Sequence, residues 1–225
     1  MLALGKAYKS HAAILLLCES GYGEDAAILS RSLFELAITT VYISADESNA
    51  RAQRYFDYDW VIRDEMYNHL LSTDELKAEL EKRTVGTDAK VEEVQRRAKE
   101  VRAGYTADEL RKRNWSGKSI RDMAIDVGRE DAYKTAYRLQ CSLAHSDITV
   151  ADNYIKETGD QLMMDISPNE NWVPSTLVAT IDFFLGIVRA WNSVYAHGLD
   201  DRLVDFETRY VAAVGDLNKR RTGHD

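Results

Sequence analysis

The stretch from residue 24 to residue 44 is apolar on nearly every side, and this constrains how the whole chain can fold. Its apolar residues fall on two sides of the predicted helix: Leu29, Leu33 and Leu36 on one, and Ala27, Phe34, Ile38 and Val41 on the other. A helix that is apolar all round has to be buried against neighbours on more than one face. We therefore expect this helix to lie inside a bundle.

The remainder of the chain also favours helix. Only 2 of its 225 residues are proline and 12 are glycine, and residues with high helix propensity are frequent. Apolar residues recur at helical spacing, and they predict four main helices over residues 2–20, 24–44, 131–145 and 174–197. We predict an all-α protein, an antiparallel helical bundle that forms a single domain over residues 1–225.

Residues 46–128 differ in composition from the bundle helices. A helix is predicted over residues 49–71, and a very charged segment follows over residues 73–102, where a few apolar residues form a narrow seam and Gly86 marks a break. A seam this narrow is typical of a solvated arm or antiparallel hairpin, or else of a dimer contact. We predict a charged helical hairpin inserted into the domain at residues 46–128.

One part of the chain has β character. Residues 154–156 and 162–166 flank Gly159 and Asp160, which predicts one small β-hairpin or an ordered loop. A closing helix is predicted over residues 200–217.

Charge and hydropathy limit the class of protein. The net charge of -8 argues against a generic nucleic-acid coat or a binder of anionic membranes, although a local cationic cleft is compatible with it. The longest apolar run, residues 177–188, is interrupted by Asp182 and is too short to span a bilayer. Cys18 and Cys141 form no Cys-x-x-Cys motif and are expected to be free thiols in a reducing compartment. We expect a cytoplasmic protein.

Two charged residues, Arg31 and Glu35, lie one turn apart on the apolar helix at residues 24–44. Burying a charge is costly unless it is paired and hydrogen-bonded. An internal ion pair that sets the register of the helix accounts for them, and so does a polar site shared with another helix. Arginine followed by glutamate is the weaker order for a simple pair within one helix, so both interpretations stay open.

The helix predicted over residues 131–145 carries an arginine and a histidine away from its apolar stripe. The stripe consists of Ala132, Ala136, Leu139 and Leu143. Arg138 and His145 are two turns apart with Ser142 between them, on a side that lies roughly 120° from the stripe. On their own, such residues are more often surface residues, and a histidine there can cap the end of a helix.

Three other kinds of site find little support. Gly117-Lys118-Ser119 lacks the earlier glycine and the preceding strand of a phosphate-binding loop. Four metal ligands cannot be assembled and there is no His-Glu-x-x-His motif, so we expect no metal and no cofactor. The strained strand-to-helix turn that carries the nucleophilic serine of many hydrolases is not found in the sequence. The rings of Tyr133 and Tyr137 are expected to pack in the protein rather than to stack on bases.

Three separated motifs resemble the signature of a bacterial domain family of unknown function. They are Arg31-Ser32-Leu33-Phe34-Glu35, Trp115-Ser116-Gly117-Lys118-Ser119, and Tyr133-x-x-x-Tyr137-Arg138 followed after seven residues by His145. The resemblance covers most of the chain, from the first helix to His145. That family in turn resembles the wider HEPN group (higher eukaryotes and prokaryotes nucleotide-binding domains), whose motif is an arginine followed after a short spacer by a histidine.

The HEPN resemblance implies a fold, an activity and a site. Members of the group are helical bundles, commonly homodimers, and many are metal-independent endoribonucleases of toxin–antitoxin and phage-defence systems. By this resemblance Arg138 and His145 are the catalytic pair, and Ser142, Arg31 and Glu35 support them. The implied partners are RNA, a second copy of the chain and an antitoxin or defence protein.

The chemistry implied by the resemblance suits these residue types. RNA is cut without a metal when its 2′-hydroxyl attacks the adjacent phosphate and a cyclic phosphate forms. Imidazole, the side chain of His145, exchanges protons near neutral pH. The guanidinium of Arg138 stays charged and can hold phosphate oxygens in a fork.

Two alternatives stay open beside the nuclease. The residue after the motif arginine is usually polar and is Leu139 here, and some members of the HEPN group only bind nucleotides or partners. The first alternative is therefore a non-catalytic helical module that binds a nucleotide or a protein, in which Arg31, Glu35 and Arg138 form a structural polar cluster. The second is a dimerising subunit whose charged hairpin recognises the partner.

Overall fold

The computed structural model describes residues 2–83, 87–159 and 161–222. Contacts between residues divide the chain into two compact units, Met1–Ala45 with Met123–Asp225, and Asp46–Asp122. We call them the first and the second unit. Gly86, where a break is predicted, and Asp160, between the two predicted strands, lie outside the described residues.

The described residues are all-α apart from one two-stranded sheet, which confirms the predicted fold class. The elements follow in this order: α1 (Leu2–Glu19), α2 (Gly23–Ser44), α3 (Ala50–Leu70), α4 (Asp74–Arg83), α5 (Thr87–Arg102), α6 (Ala107–Arg111), α7 (Ile120–Asp126), α8 (Glu130–Ala132), a π turn (Tyr133–Tyr137), α9 (Arg138–Ala144), a 3-10 turn (Ile148–Asn153), β1 (Ile155–Thr158), β2 (Gln161–Met164), α10 (Val173–Tyr195) and α11 (Asp200–Thr222).

Helix α2 lies at the centre of the first unit. It packs against α10, α1 and α9, and α1 also packs against α10. Its Leu33 and Phe34 are almost completely buried, and the Phe34 ring meets the edge of the Phe183 ring of α10 with 5.0 Å between the centroids. Burying side chains of this size contributes about 1.5–3 kcal/mol each. The all-round apolar character of this helix is thus explained by neighbours on several sides.

The start of α2 is pressed against the start of α10. A β-carbon on Gly23 would lie 2.7 Å from the backbone nitrogen of Val173, so only glycine allows the two backbones to approach so closely. The hydroxyl of Thr176 donates a hydrogen bond of 3.2 Å to the carbonyl of Gly23. The beginning of α2 is therefore held by backbone contacts as well as by side-chain packing.

Helices α2 and α10 are long and apolar enough to cross a membrane by length and composition alone. Core helices of a bundle have the same property, and within the most apolar windows of α2 and α10 the buried shares are 44% and 39%.

A π turn at Tyr133–Tyr137 interrupts the helix predicted over residues 131–145. A π turn accommodates one extra residue, which rotates all following side chains about the helix axis. Tyr137, Gln140 and Leu143 consequently face the bundle and are buried, whereas Leu139 is 49% exposed. The prediction that Leu139 belongs to the apolar stripe was therefore wrong.

The predicted β-hairpin is confirmed. Strands β1 and β2 pair in antiparallel register, with Ile155 opposite Met164 and Thr158 opposite Gln161. The 3-10 turn before β1 is attached to the bundle by Val150, which shares a buried apolar cluster with Ala27 and Leu143.

The second unit consists of residues 46–122, compared with the predicted insertion at residues 46–128. Helix α3 packs against α5 and α4. The narrow apolar seam of α5, Val91, Val94 and Ala98, is buried, and the carboxylate of Asp64 on α3 accepts a hydrogen bond of 2.6 Å from Arg102 on α5. This seam is thus covered within the second unit itself.

Candidate functional site

Helix α9 runs antiparallel to α2, and three contacts establish the register. Tyr137 contacts Glu35, Gln140 contacts Ser30, and Leu143 shares an apolar cluster with Ala27. Side chains further along α9 therefore meet residues nearer the start of α2.

A buried polar network joins α9, α2 and α10. The side-chain amide of Gln140 donates a hydrogen bond of 3.1 Å to the hydroxyl oxygen of Ser30, and the hydroxyl of Thr180 donates to the same oxygen at 2.9 Å. Ser30 and Thr180 are completely buried, and Gln140 nearly so. Because a buried donor without an acceptor is costly, this network determines how α9 sits on the other two helices.

Arg31 and Glu35 form a polar cluster with Tyr137 and Cys141. Arg31 pairs with Glu35 at 3.0 Å, and its Nε donates to the Sγ of Cys141 at 3.0 Å. The hydroxyl of Tyr137 donates a hydrogen bond of 2.8 Å to Oε1 of Glu35. Both interpretations of Arg31 and Glu35 therefore hold. The two residues form an ion pair, and they also belong to a polar site shared with a second helical segment.

Burial of Tyr137 and its hydrogen bond to Glu35 raise the pKa of the Tyr137 phenol well above its usual range. Because its pKa is raised, the Tyr137 phenol stays protonated and remains a donor to Glu35. The hydrogen bond to Cys141 raises the pKa of the Arg31 guanidinium. The Tyr137 ring also packs on the ring of Phe34, with 4.8 Å between centroids, as the sequence predicted for this tyrosine.

We predict that Arg31→Met and Glu35→Leu together lower the free energy of unfolding less than either single substitution does. Each single change leaves a half-buried charge without its partner, at a cost of about 1–3 kcal/mol, whereas the double change removes both charges. Urea denaturation of the four proteins measures this. The matched control is the exposed pair Arg209 and Asp205, for which the same cycle is expected to change stability by less than about 1 kcal/mol. Simple additivity at Arg31 and Glu35 would refute the coupling.

Arg138 begins α9 and His145 directly follows its last residue, and both side chains are exposed. The π turn ends at Tyr137, so the spacing between the two residues is that of a regular α-helix. Seven residues bring them to within about 20° of the same side, with a rise of about 10.5 Å. Within the part of the chain that the structure describes, neither side chain has a hydrogen bond, ion pair or ring contact. Both groups are therefore available to a ligand.

Ser142 lies between them and is half-buried. Its hydroxyl donates a long hydrogen bond of 3.4 Å to the carbonyl of Arg138. The described contacts of Arg31 and Glu35 are with each other, with Tyr137 and with Cys141. The structure thus brings Arg138, Ser142 and His145 onto one helix and places Arg31 and Glu35 against the residues beside Arg138.

The end of α9 holds the backbone of His145 in place. The His145 amide donates to the carbonyl of Cys141 at 3.0 Å, and the amides of Ser146 and Asp147 donate to Leu143 at 3.2 Å and to Ser142 at 2.9 Å. Ser146 takes a positive φ of 51°, which is the left-handed conformation that this kind of helix ending requires. The imidazole is therefore presented from a firmly hydrogen-bonded helix end.

Ser30, Gln140 and Thr180 were not predicted from the sequence to belong to the site. The one available signal was the position of small polar residues on the buried faces of α2 and α10. The contact of Gln140 with Ser30 depends on the π turn, because the turn rotates Gln140 toward Ser30.

Among the described residues, no three histidine, cysteine, aspartate or glutamate side chains cluster closely enough to hold a metal ion.

Residues 1–162 match the model of a family described as a family of unknown function, DUF5677. The matched range includes α2, α9 and His145 and ends in β2. No curated protein and no solved structure matches the chain.

Proposed function

We propose that this chain, which belongs to DUF5677, a family of unknown function, is a HEPN-like, metal-independent endoribonuclease. The observation that carries the proposal is the exposure of Arg138 and His145 on one side of α9, with no described side-chain partner for either. The HEPN resemblance of the motif that these two residues form supports the same activity. RNA is the proposed substrate.

In the proposed reaction the 2′-hydroxyl oxygen of one ribose bonds to the adjacent phosphorus, and the bond from phosphorus to the 5′-oxygen of the next nucleotide breaks. The 2′-hydroxyl loses its proton and the departing 5′-oxygen gains one. His145 moves a proton in this exchange, and Arg138 holds the phosphate oxygens as negative charge accumulates on them. The products are a 2′,3′-cyclic phosphate and a 5′-hydroxyl.

A homodimer completes this scheme. One imidazole supplies either the acid or the base at a given moment, so two copies of His145 across a two-fold axis would supply both. Ser142 orients the phosphate in the proposal. Arg31 and Glu35 act through Tyr137, because their contacts with it hold the segment that leads directly into Arg138.

The substitution Arg138→Lys tests the role of the guanidinium. Lysine keeps the charge but loses the planar fork that holds two phosphate oxygens, so we expect RNA cleavage in excess chelator to fall at least about 10-fold, and Arg138→Ala to reduce it further. A gel assay with a fluorescent single-stranded RNA measures the rates. Arg202→Ala, which removes another exposed arginine, is the control and is expected to cleave normally. Full activity of Arg138→Ala would contradict the proposal.

A second candidate is a non-catalytic module that binds a protein or a nucleotide. The exposure of Leu139 and of Ile148, which is 84% exposed, favours a protein partner near α9. A wild-type chain that leaves RNA intact but captures a protein through Leu139 would support this candidate over the nuclease.

The proposed setting is the cytoplasm, as a toxin or phage-defence effector held inactive by an antitoxin or defence partner. This part of the proposal follows from the HEPN resemblance. The net charge of -8 fits a protein whose contact with RNA is confined to a local site.

A further inference from the structure

The second unit contains a segment rich in positive charge, in a protein whose net charge is -8. Residues 111–121 include five lysines and arginines and neither an aspartate nor a glutamate. The five cations are Arg111, Lys112, Arg113, Lys118 and Arg121. We call residues 111–121 the basic loop. It contains the motif at residues 115–119, which the proposed reaction does not use.

The side chain of Asn114 folds the basic loop into a fixed shape. Its Nδ2 donates hydrogen bonds to the carbonyls of Lys118 at 3.0 Å and Lys112 at 3.4 Å. Its Oδ1 accepts from the amides of Ser116 at 3.1 Å and Gly117 at 2.8 Å. Because the carbonyls of Lys112 and Lys118 meet one nitrogen atom, the backbones of the two lysines lie side by side.

Two contacts attach the basic loop to other parts of the second unit. The hydroxyl of Tyr105 donates a hydrogen bond of 2.8 Å to the carbonyl of Trp115. Gly117 has a φ of +67°, and a β-carbon on it would lie 2.6 Å from Cγ of Glu109, so the loop packs directly on α6. A loop held in one shape before its ligand arrives loses less conformational entropy on binding.

The groups that the basic loop leaves open are its charged side chains. The backbone amides of residues 116–118 donate to side chains of the loop itself, so they do not form the cradle of amides that a phosphate-binding loop offers. Lys112, Arg113 and Arg121 are exposed. Among the described residues, neither Lys112 nor Arg113 has a side-chain hydrogen bond or an ion pair. The loop therefore offers cations to a ligand.

The two acidic residues that precede the basic loop are already paired. Asp108 pairs with Arg111, and Glu109 pairs with Arg54 of α3 at 2.7 Å. Glu109 also accepts from the amide of Thr106 in the cap of α6. These carboxylates are thus neutralised by cations other than Lys112 and Arg113.

Asp122, which directly follows the basic loop, shows that cations from its two ends lie close together. Hydrogen bonds from Ser119 lower the pKa of the Asp122 carboxyl, and the charges of Lys112 and Arg121 lower it further. Both cations therefore lie near one carboxylate. Two positive charges around one negative charge leave this end of the loop positive, which favours a polyanion as the ligand.

An exposed aromatic ring is connected to the basic loop through Tyr55. The Tyr55 ring meets the Trp115 ring edge-on with 5.2 Å between centroids, and the Phe56 ring with 5.8 Å. Phe56 is 64% exposed, so its ring is open to stacking. Cations that contact phosphates, combined with aromatic rings on which bases stack, are how proteins bind single-stranded nucleic acid. An acidic protein segment would match the cations but would leave the exposed ring without a role.

We propose that the basic loop and Phe56 bind single-stranded RNA, with Lys112 and Arg113 holding phosphates and a base stacked on Phe56. The inference rests on the proposed ribonuclease function for the choice of RNA, because phosphate contacts and stacking also suit single-stranded DNA. Contacts with phosphates position a nucleic acid without reading its sequence. The surface would therefore hold the RNA strand, and the specificity of cutting would come from elsewhere.

Fluorescence anisotropy with a short labelled single-stranded RNA tests the proposal in the full-length His145→Ala chain. Replacing both Lys112 and Arg113 with glutamine should weaken binding at least about 5-fold near physiological salt, and should reduce the slope of log affinity against log salt by about 1.4, since each phosphate contact contributes about 0.7. Phe56→Ala should weaken binding at least about 5-fold without changing the slope, because stacking carries no charge.

The matched control replaces Lys6 and Lys9 with glutamine. Both are exposed cations on α1, so the control changes the net charge equally, and it is expected to bind RNA as its parent does. Unchanged affinity and salt slope in the variant of Lys112 and Arg113, or no RNA binding by the parent, would overturn the RNA surface. Polyglutamate that binds as tightly as the RNA, with no effect of Phe56→Ala on either, would overturn it in favour of an acidic protein partner.

The same variants separate this surface from the nuclease. Binding that depends on the basic loop, in a wild-type chain that cuts no RNA, supports the surface and overturns the ribonuclease alone. Cleavage and binding that both stay at the wild-type level in the variant of Lys112 and Arg113 overturn the surface and leave the ribonuclease standing.

Discussion

Replacing His145 with alanine is expected to slow RNA cleavage by at least about 100-fold, because a positioned side chain that transfers a proton typically contributes 100-fold to 10,000-fold. The melting temperature should stay the same. The imidazole is exposed and has no partner among the described residues, and the backbone amide that closes the helix end survives the change. Single-turnover cleavage of a defined RNA, beside a thermal melt, measures both quantities.

The matched control is His69→Ala. His69 is also an exposed histidine in the last turn of a helix, α3, and its loss should leave cleavage unchanged. Cleavage by His145→Ala at the wild-type rate would remove this residue from the mechanism. A large fall in its melting temperature would show instead that the imidazole has a structural role.

The largest loss of stability is expected for Ser30→Ala, which should lower the free energy of unfolding by about 2–4 kcal/mol. Its hydroxyl oxygen accepts hydrogen bonds from Gln140 and Thr180, and all three residues are buried. Alanine would leave two donors in the core without an acceptor, each at a cost of about 1–3 kcal/mol. Urea denaturation followed by circular dichroism measures the change.

Two further variants show whether the loss has this cause. Replacing all three network residues with apolar ones (Ser30→Ala, Gln140→Leu and Thr180→Val) should recover much of the lost stability, because no unpaired donor remains. Ser32→Ala, at an exposed position on the same helix, should change stability by less than about 0.5 kcal/mol. A Ser30→Ala protein that loses less than about 1 kcal/mol would mean that water replaces the missing acceptor.

The bundle could be predicted because its signals are local and repeated. The helix predicted over residues 24–44 is observed as Gly23–Ser44, and the one predicted over residues 174–197 as Val173–Tyr195. Each carries apolar residues over several turns, so one unusual residue does not hide the period. The charged hairpin was also predicted from the sequence. A solvated hairpin and a dimer contact could not be distinguished, because one segment does not show which partner covers its narrow apolar seam.

The site was less accessible to prediction because its contacts connect distant segments. A π turn has no simple sequence signature, and it rotated Leu139 outward and Gln140 inward relative to a regular helix. The spacing of Arg138 and His145 survived because both follow this turn. A cavity at the start of α2, which residues 21–25 and 165–169 help to line, depends on how the later segment returns to α2, and no pattern along the chain indicates this return.

The ends of the cleaved RNA test the central claim most directly. Arg138 and His145 are proposed to promote attack by the 2′-hydroxyl, so purified protein in excess chelator should leave 2′,3′-cyclic phosphate and 5′-hydroxyl ends, as mass spectrometry of the fragments would show. An RNA with 2′-deoxyribose at the cut position should stay intact. Fragments with 3′-hydroxyl and 5′-phosphate ends, or an intact RNA after prolonged incubation, would contradict the account.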